Sequence, residues 1–449
     1  MPPFGRTCGA LIGLLVGLAA ASACGQSSDD RSACFGNDAT DDQTIAGCSA
    51  LIQGGLTRGN EQASAFSNRC FAYTNKKDYA KALPDCDQAV KLAPNDANSW
   101  NNRGNVYYGK GDYTRALQDF DQAIKLKPNF SFALNNRGMA RAKRGDPVHA
   151  LEDYALAIKI KPDYADAWGN RGRLHFDRED YAHALEDLNR AVALSPQNAE
   201  LHELRGRVLA ARNEWDNAIV EFNEALRLKP DYVGALVGRG IAHRNLRQYE
   251  LAIADYDQAL TLRPDDAVAY NDRGVVYRHM EQWDKAIGDF DKALKIDPEY
   301  GLALRNRALT RSDSQDIEGA LHDYDEAVRL NPKDYQSWNG ACWNRAVTGK
   351  LERALADCNR GLRVNAVDAD ALDSRGFVEL RLKLHDAAIA DYDAALGINP
   401  KLAASLYGRG LAKRATGDKE GGNADVEAAL NLDPALPRDF EKWGLPASP

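Results

Sequence analysis

Apolar and polar positions recur along the chain with one spacing. Between Ala97 and Phe130, Trp100, Gly104 and Tyr107 fall three and four residues apart, which puts them on one face of a helix. Gly111 and Asp112 make a turn, and a second helix carries Ala116, Phe120, Ala123 and Ile124 on its buried face. That helix stops at Lys127, because Pro128 disfavours helical geometry in the residue before it. Prolines then stand at 94, 128, 162, 196, 230, 264, 298, 332, 400 and 434, each a whole multiple of 34 residues from the last. Ala366 occupies the one missing beat as a substitution, with no shift in register. A gapless period of this length predicts an all-α solenoid of helix-turn-helix units.

With the unit numbered from Ala97, position 8 is small throughout: Gly104, Gly138, Gly172, Gly206, Gly240, Gly274, Gly376 and Gly410, with Ala308, Cys70 and Cys342. Glycine inside a helix costs about 1 kcal/mol relative to alanine. Its repeated use predicts a close crossing of two backbones there, with the alanines of position 20 (Ala82 to Ala388) opposite. Large apolar at 4, Gly at 8, Ala at 20, aromatic at 24, Ala at 27 and Pro at 32 together resemble the tetratricopeptide repeat family. Tyrosine at position 11 departs from that pattern, standing only at Tyr73, Tyr107 and Tyr277. The resemblance implies a right-handed superhelical solenoid of about eleven units, from Ala63 to Leu436. The last copy is degenerate, with Gly421-Gly422 in its second helix and Val426 at the aromatic position.

Composition changes the picture mainly at the ends. The net charge of −8 is spread along the chain, which argues against nucleic acid as a partner. Arg6 precedes an apolar run over 10–23, too short to span a bilayer and suited to a signal peptide at 1–23. Ala21-Ser22-Ala23 is an ordinary signal-peptidase site, and with Cys24 it also resembles a bacterial lipoprotein box, although Ala21 stands where leucine is usual. Two localisations follow: a periplasmic lipoprotein held to the membrane only through a lipid on Cys24, or a soluble exported protein. Residues 24–62 read as a polar tether followed by a capping helix over Thr44–Gln53, and 437–449 as a short tail in which Phe440 and Trp443 cover the last repeat.

Cysteine positions add to this. Cys70 and Cys86 occupy positions 8 and 24 of the first repeat, and Cys342 and Cys358 the same positions of the ninth. In an exported chain the expected bridges are Cys70–Cys86, Cys342–Cys358 and Cys34–Cys48, with Cys24 left over for the lipid. The alternative is that these are small buried free thiols.

Position 7 is arginine (Arg69, Arg103, Arg137, Arg171, Arg205, Arg239, Arg273, Arg307, Arg375, Arg409), and position 23 is acidic in every repeat. This predicts a ladder of ion pairs, within repeats or between them, broken at Ala341. Pairing within repeats would orphan Asp357, and pairing backward would orphan Asp323.

Motifs of catalysis are lacking. Gly104–Lys110 imitates a phosphate loop, but Gly111 replaces its Ser/Thr and the context is helix then turn. Neither Gly-x-Ser-x-Gly nor His-Glu-x-x-His occurs, and His175 and His183 read as surface residues. The expectation is a protein without catalytic residues, cofactor or metal, and a redox dithiol at Cys342/Cys358 lacks a Cys-x-x-Cys arrangement.

The family resemblance implies that the first helices line a groove for proteins or extended peptides. It places Asn68, Asn102, Asn136 and Asn170 (position 6) and Asn101 and Asn135 (position 5) there, interleaved with Phe71, Tyr108, Phe132 and Phe176. Amides in a row can pair with a peptide main chain. The expected function is a non-catalytic envelope scaffold; the alternative is a structural assembly factor packed permanently in an envelope complex.

Overall fold

The computed structural model describes residues 28–445, and no strand occurs among them. The leader at 1–23 and Cys24 lie outside the described residues. The chain divides into two compact units, Met1–Glu214 and Trp215–Pro449.

In the first unit, a helix over 28–35 (α1) and α2 (Asp41–Gln53) precede four antiparallel pairs. These pairs are Gly59–Asn75 with Tyr79–Leu92, Ala97–Gly109 with Tyr113–Leu126, Ser131–Lys143 with Pro147–Ile160, and Ala165–Asp177 with Tyr181–Leu194. Ala199–Ala211 ends the unit. The second unit opens with Trp215–Leu228 and continues in pairs. They are Val233–Asn245 with Tyr249–Leu262, Ala267–His279 with Trp283–Ile296, and Gly301–Asp313 with Ile317–Leu330, followed by Tyr335–Val347 with Leu351–Val364, Ala369–Arg381 with His385–Ile398, and Ala403–Thr416 with Lys419–Leu432. Leu436–Lys442 closes it.

Local chemistry sets these boundaries. Position 15 has positive φ in every repeat: glycine at Gly111, Gly145, Gly349 and Gly417, but Lys77, Glu179, Asn213, Arg247, Glu281, Gln315 and Lys383 elsewhere. A left-handed residue is what reverses the chain between two helices so abruptly, and six repeats adopt it with a side chain that disfavours it, Asn213 being the tolerant seventh. An aspartate follows in several repeats; Asp112 and Asp180 accept from the amides of Arg115 and His183 and cap the second helix. The period-34 proline also has a partner. The indole N–H groups of Trp100, Trp168 and Trp338 donate to the carbonyls of Pro94, Pro162 and Pro332, at 2.8, 2.9 and 3.1 Å.

Four expectations change. Position 8 chiefly faces position 24, not position 20: a Cβ on Gly104 would lie 2.6 Å from a ring carbon of Phe120, and Gly138, Gly240, Gly274 and Gly376 meet Tyr154, Tyr256, Phe290 and Tyr392 likewise. The glycine makes room for an aromatic ring. Backbones do approach closely in the last repeat, where a Cβ on Gly410 would lie 2.8 Å from the Gly422 carbonyl oxygen. There the missing aromatic is replaced by a tighter helix crossing, and the second helix stays intact.

The other three lie at the ends. The expected tether is helical over 28–35, because Cys34 and Phe35 pack with Cys48 and Leu51. The first helix of repeat 1 begins at Gly59, earlier than the repeat boundary. The C-terminal segment forms a short helix after all. Phe440 is 2% exposed, with ring contacts to Tyr407 (4.8 Å) and Phe377 (5.7 Å), and Trp443 stands edge-on to Trp343 at 4.8 Å. The sulfurs of Cys34–Cys48, Cys70–Cys86 and Cys342–Cys358 are at bonding distance.

Candidate functional site

Between the helices runs a ladder of charges. Arg103 donates through Nε and Nη2 to both carboxylate oxygens of Asp119 in its own repeat, each at 2.8 Å. Its Nη1 reaches back to Asp87 of the preceding repeat at 3.0 Å. Arg137, Arg273, Arg307 and Arg409 do the same with Asp153/Asp121, Asp289/Asp257, Asp323/Asp291 and Asp425/Asp393. Asn359 takes the backward place for Arg375, and Asn223 for Arg239. The ladder therefore runs both within and between repeats, through a position-25 residue whose role the sequence reading missed. Ser49 of α2 fills that place for Arg69 at 2.9 Å, so α2 stands in for the second helix of a preceding repeat.

Repeat 9 leaves neither acid orphaned. Arg345, at position 11, replaces the arginine missing at Ala341: it binds Asp357 of its own repeat and, at 2.6 Å, Asp325 of the preceding one. Asp323 keeps Arg307 and gains Arg311, also at position 11. Position 11 is tyrosine in three repeats and Arg or Lys in four (Arg141, Arg311, Arg345, Lys413), each of these four binding the position-23 acid of its own repeat. Repeat 10 has an acid there, Glu379, whose carboxyl is pushed up to about 7 by burial and by Asp391 beside it.

The asparagines are more occupied than a free binding row would be. Asn68 donates to the Cys34 carbonyl and Asn102 to the Ser67 hydroxyl, both at 3.0 Å. Asn170 donates to Asn135 at 3.0 Å, Asn135 to Asn136 at 3.3 Å, and Asn136 to Asn101 at 3.0 Å. Each position-6 amide is tied to the element stacked before it, the N-terminal helix for Asn68 and the preceding repeat for the others. Asn101 and Asn135 are 7% and 2% exposed, inside the stack and not on its open face. The periodicity locates the row but not the partner that the preceding repeat brings to it.

The aromatics divide. Tyr108 and Phe176 are half-buried against Tyr113 and Tyr181 of their own repeats, and Arg207 lies over the Phe176 ring. Phe71 and Phe132 remain 48% and 43% exposed, the latter flanked by Tyr164 and Lys161.

In the second unit, the first helices of repeats 8, 9 and 10 enclose a cleft of about 490 Å³. Trp343 and Tyr335 offer apolar surface, Asp368 and Asp370 carry negative charge, and Arg305 at the rim is already paired with Asp334. Asn339 lines it, and the Oδ1 atom of that residue is buried and accepts no hydrogen bond. A buried acceptor without a donor is costly, on the order of 1–3 kcal/mol.

Sequence models of the tetratricopeptide repeat match residues 63–96 and 97–130, 137–209 and 239–303, and 344–404, and a TPR repeat model matches 206–246. Together they cover roughly two thirds of the chain, and the first two matches coincide with single repeat units. The chain is a tetratricopeptide repeat protein.

Three solved structures are similar to this tetratricopeptide protein over much of their length. The APC/C hetero-tetramer Cut9–Hcn1 matches with a TM-score of 0.51 and 14% identity, over 89% of this chain and 98% of that one. A tetratricopeptide repeat protein from Parabacteroides merdae ATCC 43184 matches at TM-score 0.45 and 20% identity, over 55% and 98%. YrrB, described as a TPR protein with an unusual peptide-binding site, matches at 0.36 and 24%, over 41% and 95%. The Cut9–Hcn1 likeness, at 14% identity, concerns the fold alone. No curated protein matches in sequence. Tetratricopeptide repeats serve protein–protein interaction, and that broad role holds for this chain.

Proposed function

We propose that this protein is a non-catalytic scaffold that holds an extended segment of a partner protein in the cleft of repeats 8–10. The observation that carries the reading is the mixed lining of that cleft, where the Asn339 amide stands beside Trp343, Tyr335, Asp368 and Asp370. An amide side chain beside aromatic surface can pair with a peptide main chain. Asp368 and Asp370 favour a segment with a basic side chain, and Trp343 favours an apolar one. In the first unit the exposed Phe71 and Phe132 offer a second apolar contact, while Asn68, Asn102, Asn136 and Asn170 brace the repeats that present it.

The same proposal includes export and a lipid on Cys24. Cysteine pairs at bonding distance suit an oxidising compartment, and the leader suits secretion. A photo-crosslinking residue at Asn339, in intact cells, tests the scaffold reading. It should capture a defined partner, whereas the same probe at the exposed Val220 should not; equal capture at both sites rejects the cleft. Intact mass of the membrane fraction tests the anchor. A soluble mature chain beginning at Cys24 without added lipid would rule it out.

A further inference from the structure

Repeat 4 brings together three metal-ligating side chains away from the cleft and the amide row. His175 lies in the last turn of Ala165–Asp177, Asp180 caps the helix Tyr181–Leu194, and His183 lies in the first turn of that helix. Glu179, with φ of 61°, folds the chain back so that the two helix ends meet. His183 Nδ1 stands 2.7 Å and His175 Nδ1 3.5 Å from the same oxygen, Asp180 Oδ2. The imidazoles stack with centroids 5.2 Å apart, and one ligand atom from each residue lies within 4.8 Å of the others. Side-chain exposure rises from 16% at His175 through 39% at Asp180 to 65% at His183, so the cluster is walled on one side and open to water on the other. No other such cluster occurs among the described residues.

We propose that His175, Asp180 and His183 form a zinc-type divalent metal site that clips the two helices of repeat 4 together. Two imidazole nitrogens and one carboxylate oxygen, with an open fourth place for water, match the ligands and coordination that zinc takes. Metal–ligand distances of about 2.0–2.2 Å need shifts of roughly 1 Å from the present contacts. Asp180 Oδ1 keeps the backbone N–H of His183, which fixes the carboxylate while Oδ2 faces the ion. Burial lowers the pKa of His175, outweighing the acids Asp180 and Asp187 that favour its protonation, while His183 and Arg171 add to the lowering.

Repeat 3 is an internal control. There His149 Nδ1 lies 2.8 Å from Asp146 Oδ2 in the same cap arrangement, but Arg141 replaces His175 and turns to Asp153. Two ligands beside a cation make no site. His175 and His183 were expected at the surface without a role. The helical period does not show that a left-handed turn sets the two ends side by side.

Full-length chain treated with EDTA and dialysed should bind one Zn²⁺ in calorimetric titration with ZnCl₂, releasing protons, and should melt several degrees higher with zinc than without. His175→Ala and His183→Ala should each abolish the one-to-one event and the melting gain, while His149→Ala should keep both. Because His183 is exposed, its variant should melt like the metal-free wild type, so a null result there is not a folding defect. Absence of one-to-one binding in the wild type, or unchanged binding in His183→Ala, overturns the proposal.

Discussion

Removing Arg345 separates a charge ladder that holds the stack from one that merely decorates it. The side chains of Asp357 and Arg345 are 6% and 12% exposed, and Arg345 joins Asp357 to Asp325 of the preceding repeat. Breaking a buried pair by deleting one member typically costs 3–5 kcal/mol, because the remaining charge stays desolvated. Arg360 Nη1, 3.4 Å from Asp357 and on a largely exposed side chain, offsets part of that. The expected cost of Arg345→Ala is therefore about 2–3 kcal/mol. In a unit of this size that corresponds to a melting shift of roughly 4–10 °C.

The carboxyl of Asp357 is already raised by burial against the pull of Arg345, and the variant raises it further. A carboxyl raised above its unfolded value keeps its full contribution at low pH and loses it as pH rises. The gap between variant and wild type should therefore be wider at pH 7 than at pH 4. Adding Ala341→Arg to the variant should recover at least half the loss. An arginine at position 7 reaches position 23 in the same repeat, as Arg307 reaches Asp323 at 2.6 Å. Calorimetry on the four proteins of the cycle, with hydrogen exchange of Leu351–Val364 as the local probe, decides the matter. If Arg345→Ala melts within about 1 °C of wild type and its exchange is unchanged, the ladder does not hold the repeats.

Other substitutions test neighbouring inferences. Glu379 has its Oε2 buried without a partner and titrates at about 7 against 4.5 when unperturbed, so wild-type stability should fall as pH rises from about 5 through 7; Glu379→Gln should remove that slope and melt higher than wild type at pH 8. Gly104→Ala should lower stability by about 1–2 kcal/mol, since overpacking against Phe120 exceeds the gain in helix propensity, whereas Gly288→Ala, in a helix with open space around it, should gain about 0.5–1 kcal/mol. Chemical denaturation reads both. Reducing Cys70–Cys86 and Cys342–Cys358 should cost about 3 kcal/mol each by the loop-entropy account. A denaturation midpoint unmoved by reductant would mean that these cysteines serve only as small core residues.

The repeat, its register, the two helices per unit and the identity of the buried positions were legible in the sequence. Each depends on contacts within about 34 residues, repeated many times, so one reading error could not survive the next copy. The arginine–acid pairing was legible for the same reason. What tertiary structure decided lies where one repeat meets the next. Asn135 looks like a groove residue by its helix position, but the neighbouring repeat covers it and Asn170 binds it. Ala341 looks like a broken rung, but Arg345 reaches across the gap because it sits one helical turn further along the same face. The helix over 28–35 has no periodic neighbour to announce it and forms because Cys34 has a core to enter. Periodicity reports which face a residue occupies. Hydrogen-bond commitments, substitutes at irregular positions and the meeting of His175 with His183 depend on distances between faces, which only the folded stack sets.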